Sequence, residues 1–518
     1  MKNWTGMASL EERIGYSSRQ TLNLTNWTSI HRINFVRSFG KHNINGVVGF
    51  EAGARDYTTV GATGSGFIND HIRDISYANS RKGTNYSKSS RKASFLGQAA
   101  YSYDQRYYLT VNARRDGNSQ FGSEARWAGF ASVGTSWNIH NEKFFKIPWI
   151  SVLKLRATYG TNGNSRIGTQ EALGLYSYGE SYAYNGKIGG VQSGTPNRKL
   201  SWETTYMTNL GLRVEVLRRF DFNFEFYRNY TKNLLSNLDV SRTTGDLRVY
   251  RNVGEIENKG IEVSITSKNF VPKKEGDFTW TTDLNLAHNS NTLKKLYNGI
   301  QKNFGTTSYI EGYDIHTYFL VRWAGVDPYD GSPMWYDARG NVTKTYNSAN
   351  RVPYKNSTPK VTGGLTNTMS YQGFTLRFLL NYQFGGYGFT SFGRSSFSDG
   401  YNISTNNQAV DQLNRWRKPG EIAANPKPLW EVSTSSGMNS TRYLRNKTLI
   451  RLQNLVLSYT LPQEWLSKFG ARSCTLSFVG DNLFAWSPYS GSNRNSYKTT
   501  MSGYPTERVL SLSLNIGF

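Results

Sequence analysis

Six histidines, His31, His42, His71, His140, His288 and His316, are the first place to look for metal chemistry. Their spacing supports none, because no two stand four residues apart and none sits in an H-E-x-x-H string. Cys474 is the single cysteine, which excludes an intrachain disulfide framework and a cysteine-based zinc site. Two carboxylates lie close together in DPYDG (Asp327–Gly331). That string lacks the ligand count of an EF-hand loop and reads as a turn, as does Asp337–Asn341. No nucleophile elbow and no P-loop occur. The expectation is a protein that is not an enzyme, with no catalytic residue, no metal site and no cofactor. Arg114 and Arg115 carry charge that suits an anion, but pairing within the fold accounts for them better. Asp116-Gly117, just after them, suits a tight reversal at the end of a strand. Tyr176, Tyr178, Tyr182 and Tyr184 offer flat apolar faces that suit sugar rings. Loop packing explains them equally well, and the substrate-binding residues stay unassigned.

The elements that would position these groups follow a period of two. From Trp202 to Val216 the even positions are Trp202, Thr204, Tyr206, Thr208, Leu210, Leu212, Val214 and Val216, and the odd ones are mostly polar. After Arg218-Arg219, Phe220, Phe222, Phe224 and Phe226 alternate with Asp221, Asn223 and Glu225. Period two puts each set on its own face, giving a hairpin with one apolar and one polar side. Leu153–Tyr159, Phe278–Leu286, Phe374–Phe384 and Leu510–Phe518 repeat the pattern. About seventeen such strands can be read, most of about ten residues or longer, which suits a tilted crossing of a bilayer. Strands of soluble sandwiches average about 5–6 residues. No apolar run approaches the ~20 residues of a membrane helix.

Connections alternate strictly between short and long. Short or moderate ones are expected at Phe39–Lys41, Asp104–Arg106, His140–Trp149, Arg218–Arg219, Asn269–Asp277, Pro328–Gly331, Gln372–Gly373 and Pro462–Arg472. Long ones are expected at Thr59–Ser89, Gly160–Leu200, Thr231–Val253, Asn289–Ile315, Thr343–Thr358, Gly385–Lys447 and Trp486–Thr506, with Asp116–Ala125 the shortest of this set. Outer-membrane barrels have short periplasmic turns and longer extracellular loops. The fold class expected is therefore all-β: an antiparallel transmembrane β-barrel with apolar faces towards lipid. Trp202, Tyr206 and Trp280 suit its interfacial girdles. The alternative is a set of soluble sheets whose aromatics pack a core.

Lys and Arg number 61 and Asp and Glu 36, a formal net charge of +25. The cations are scattered through strands and loops, and Ser89–Lys92 and Lys273–Lys274 are short, so no nucleic-acid partner is expected. In a barrel, rim cations would meet anionic lipid phosphates. A basic inner face, including Lys154 and Arg156, would favour acidic cargo.

Several strings go beyond periodicity: RRDGNSQFG (Arg114–Gly122), LKLRATYGTNGN (Leu153–Asn164), LSWETTYMTNLGL (Leu200–Leu212), NVGEIENKGIEV (Asn252–Val263), AGVDPYDGSPMWYDARGN (Ala324–Asn341), the segment Pro359–Gly386, GDNLFAW (Gly480–Trp486) and YPTERVLSLSLNIGF (Tyr504–Phe518). In this order the chain resembles the SusC/RagA family, the TonB-dependent outer-membrane transporters of Bacteroidetes. The resemblance implies a plugged barrel of 22 strands in the cell outer membrane, of which residues 1–518 would supply about seventeen as the C-terminal part. The first eighteen residues, MKNWTGMASLEERIGYSS, contain no signal-peptide pattern. Signal peptide, plug and first barrel strands are therefore expected to be absent. The implied function is import of oligosaccharides or peptides. The implied partners are a SusD-like surface lipoprotein, outer-membrane lipid, and the TonB complex through the missing N-terminal region. The alternatives are a passive pore, a structural surface barrel or a non-functional gene fragment. Phe518, the aromatic end of an amphipathic last strand, resembles the signal read by the barrel-assembly machinery.

Overall fold

The computed structural model describes residues 15–488 and 506–518, apart from 70, 246–247, 275, 300 and 468–469. Residues 1–14 of the leading segment, most of the connection after Trp486 and the first two residues of Tyr504–Phe518 lie outside the described residues.

Fifteen strands form one antiparallel sheet, each pairing with the next along the chain. They are β1 (Tyr16–Phe39), β2 (His42–Ser65), β3 (Ser80–Tyr103), β4 (Tyr107–Asn118) and β5 (Trp127–Asn138). Next come β6 (Ile150–Asn164), β7 (Glu203–Val216), β8 (Phe220–Lys232), β9 (Glu255–Phe270) and β10 (Thr279–Lys295). The last are β11 (Val361–Tyr371), β12 (Phe374–Phe384), β13 (Leu449–Thr460), β14 (Ser473–Trp486) and β15 (Val509–Gly517). Among the described residues the sheet is not closed: β1 pairs only with β2, and β15 only with β14.

The register keeps every apolar set on one face. Leu155 pairs with Leu212, Leu212 with Phe224, Phe224 with Val263 and Val263 with Leu286. Such an unbroken row of exposed and half-buried aliphatic and aromatic side chains suits a face against lipid. At the short-turn end an aromatic ladder crosses five strands, Phe39–His42–Tyr103–Tyr107–Trp137, with ring centroids 5.0, 4.9, 6.5 and 6.4 Å apart. Trp280 stacks on Phe270 at the same end. This is a membrane-interface girdle. From Tyr107 up to Gly117, roughly ten residues at about 3.4 Å tilted by about 40° rise about 26 Å, the height of the apolar band of such walls.

Among the described residues fifteen wall strands stand where about seventeen are expected. The two extra candidates flank Asp327–Gly331, and the turn there is real but is not a wall turn. Thr317–Val321, Trp323–Val326 and Pro333–Tyr336 are short strands within the long β10–β11 connection. Tyr318, Leu320, Val321 and Trp335 are buried, so these strands have a core of their own instead of a lipid face. Removing one hairpin leaves the alternation of short and long connections intact. Asp116-Gly117 is likewise not a reversal: both residues lie in β4, paired with Ala128 and Trp127. β2 and β3 also run further than expected, to Ser65 and from Ser80, and so take up much of the segment Thr59–Ser89. At 24 residues each they are over twice the length a tilted crossing needs and project past the bilayer.

Candidate functional site: the polar wall face and the loop cap

The polar face of the wall is a lattice of paired charges. Lys154 and Arg156 share the face opposite Leu153 and Leu155, as period two requires. Arg156 does not stand free. It reaches across Gly211 and donates from Nη2 to Glu225 Oε1 and Asn223 Oδ1, both at 2.7 Å. A Cβ at position 211 would lie 2.9 Å from Arg156 Nε, so the glycine opens this path. Arg213 chelates Asp221, with its shortest contact at 2.6 Å. Further round, Thr266 donates to Asp283 at 2.7 Å and Asn454 to Asp481 at 2.8 Å. Lys154 lies 5.4 Å from the Tyr108 ring centroid. The face is therefore polar and internally neutralised along this stretch, not the basic surface that the cation count implies.

Above the long-connection end, two loops fold into one cap. Val321 bridges to Ser440, and the Trp323 amide donates to Thr441 Oγ1 at 2.9 Å. At its centre Arg442 is buried and donates to both oxygens of the fully buried Asp399, at 2.6 and 2.9 Å. It also donates to Asn425 Oδ1 at 2.8 Å, and its guanidinium lies 4.9 Å from the Trp323 ring. Tyr443, fully buried, donates to the Ser436 carbonyl at 2.7 Å. Burial pushes its phenol up to about 12, so it stays neutral at any physiological pH. Gly331 has φ +76°, and the Trp416 ring occupies the space a Cβ would need, at 2.6 Å. The DPYDG turn is thus pinned for packing. Lys344 bonds both of its carboxylates and holds Asp330 down to about 2.

The remaining sequence candidates scatter. Arg114 pairs with Asp116 at 2.5 Å and with Glu51 at 3.4 Å. Arg115 lies on the opposite face, over Trp127. Trp202 is no girdle residue: it is buried between Phe121 and Phe130 and donates to the Arg126 carbonyl at 3.0 Å. Tyr176, Tyr178, Tyr182 and Tyr184 lie on an exposed hairpin strand, Leu175–Tyr184, outside the wall. Phe518 follows β15 and is exposed. The Arg442–Asp399 centre escaped sequence reading, because its two residues lie 43 positions apart in a stretch without periodicity.

A family model described as TonB dependent receptor-like, beta-barrel, matches residues 2–483. TonB-dependent receptor P3 of Formosa agariphila is 27% identical over 97% of this chain and 53% of its own length. TonB-dependent receptor SusC of Bacteroides thetaiotaomicron is 28% identical over 78% of this chain and 41% of its own. The chain thus spans about half the length of the curated relatives it matches. The structure of the RagAB peptide transporter superposes with a TM-score of 0.86 at 23% identity, over 98% of this chain and 57% of that one. This likeness speaks for the fold. The chain belongs to the TonB-dependent receptor-like β-barrel family, as the resemblance to SusC/RagA transporters implied, and its wall stands in the outer membrane.

Proposed function

We propose that the chain forms the C-terminal part of the barrel wall of an outer-membrane nutrient importer energised through TonB. The observation that carries this reading is a lipid-facing wall whose other face is polar, topped by a folded cap at the long-connection end. Counting fifteen strands back from a 22-stranded barrel gives β1 the eighth place, and strands one to seven would pair with the free edges of β1 and β15. A plug and a TonB-binding segment belong to the N-terminal region of the whole protein. A SusD-like surface lipoprotein is the partner at the cap. Oligosaccharides and peptides are the cargo classes, and the neutralised wall face favours neither acidic nor basic cargo. The chain's own part is to line a path, with no catalytic role. Uptake of labelled oligosaccharide and peptide pools tests this in the organism's own cells. Loss of uptake on deleting the gene and on inactivating TonB is expected. Passage that persists without TonB would make the barrel a passive pore instead.

Phe518 belongs to the same proposal as the assembly signal. Phe518→Ala is expected to lower folded barrel in outer membranes severalfold, whereas Phe518→Tyr, which keeps the ring, restores it. Equal levels for the alanine variant and the parent would remove that role.

A further inference from the structure

We infer that the outer wall carries a lipid site on β8 and β9, in which Arg228 and Lys259 hold a headgroup phosphate above a groove shaped for an acyl chain. The inference rests on the wall standing in a membrane and is independent of the cargo. A groove of about 480 Å³ runs along the apolar face between Leu155, Leu210, Leu212, Phe224, Phe226 and Ile261. Phe226 and Ile261 are register partners at its upper end. Two residues further along the same face stand Arg228 and Lys259, which are also register partners.

Two cations directly opposite each other on neighbouring strands repel, with Cβ atoms about 5 Å apart. Arg228 turns away to Glu257, at 2.6 Å, but that carboxylate is already shared with Lys294 at 2.8 Å. Lys259 is exposed and has no ion pair among the described residues. Glu255 accepts a hydrogen bond from the Tyr230 hydroxyl. Lys232, the register partner of Glu255, stands four residues above Arg228 on the same face, 5.6 and 5.4 Å from the Tyr206 and Tyr230 ring centroids. Among the described residues of these strands, Glu255 and Glu257 are the acidic side chains on the face that carries Arg228, Lys232, Lys259 and Lys294, which leaves two positive charges unmatched. From Phe220 at the short-turn end, roughly eight residues to Arg228 rise about 21 Å along a tilted strand. With an apolar band of about 25 Å, flexible lysine and arginine heads at that level reach the lipid headgroups. The missing anion is there, and the groove accommodates the chain attached to it.

The test uses the protein as its cell makes it, moved in mild detergent into nanodiscs. Each disc contains either a phosphorylated outer-leaflet glycolipid or the same lipid after phosphatase treatment. Native mass spectrometry then counts lipid retained per protein. The parent is expected to keep one phosphorylated lipid in preference to the dephosphorylated form. Lys259→Gln is expected to weaken retention about fivefold, and Lys259→Arg to restore it. Heat-modifiable migration checks that each variant is folded. Equal retention of both lipids, or no change in a folded Lys259→Gln, would overturn the site. Displacement of the lipid by millimolar inorganic phosphate would show a site for free phosphate and overturn the headgroup assignment.

Discussion

Arg442→Ala is expected to open the cap while leaving the wall folded. The substitution strands the Asp399 carboxylate, which is fully buried and takes both of its charged hydrogen bonds from that one guanidinium. Breaking a buried pair from one side costs about 3–5 kcal/mol, because the remaining charge has lost its compensation. The loss falls locally: Asn425 loses its bond from Arg442, and Tyr443, which holds the Ser436 carbonyl, loses the guanidinium packed against its ring. Hydrogen exchange is expected to accelerate through residues 436–446, and protease is expected to cut the cap. Wall strands β11 and β12 should keep their protection. A second variant, Arg442→Leu with Asp399→Leu, removes both charges and is expected to recover much of the protection, since well-packed apolar residues often replace a buried pair without loss. Unchanged exchange in Arg442→Ala would mean that the pair does not hold the β12–β13 loop in its folded form.

The wall was legible from residue types alone because its physics is local and repetitive. Phe220, Phe222, Phe224 and Phe226 alternate with polar residues in any reading frame. A one-residue slip would turn them all away from lipid, so pattern dictates register. The strict alternation of connection lengths carried orientation in the same way. The cap has no such signal. Trp323, Asp399 and Arg442 meet through tertiary packing, and Trp416 joins them through the Asn425 carbonyl; the strand Thr317–Val321 is buried on both faces, so period two carries no information there. That is why the hairpin around DPYDG read as two wall strands, and why Trp202 read as a girdle residue.

The polar face failed in a different way. Composition counts cations but cannot pair them. Arg156 and Glu225 lie on β6 and β8, with β7 between, and their contact depends on Gly211 having no side chain. A scatter of arginines along alternating strands therefore reads as a basic surface until the register is known. Once it is, Arg115, Arg228, Lys232 and Lys259 stand on the outer face instead. Cations there neighbour lipid phosphates instead of cargo.

Leu212→Arg is the sharpest test of which face meets lipid. Leu212 sits at the middle of the apolar row, between register partners Leu155 and Phe224. An arginine near the bilayer midplane of such a wall costs about 2–4 kcal/mol, and the side chain is too far from either interface to snorkel freely. Asn209→Arg is the matched control, on the same strand but on the polar face, where Asn209 donates to Glu225 at 3.3 Å. An added cation there gains a carboxylate neighbour and water, so a near-neutral effect is expected. The fraction of heat-modifiable, folded protein in purified outer membranes measures both. A large drop for Leu212→Arg with little change for Asn209→Arg is the expected pair of results. The reverse order would turn the wall inside out. Equal drops would mean that both faces are packed against protein, as in a soluble sandwich. The row that places Leu212 in lipid also floors the groove beneath Lys259, so a tolerated Leu212→Arg would remove the lipid site together with the face assignment.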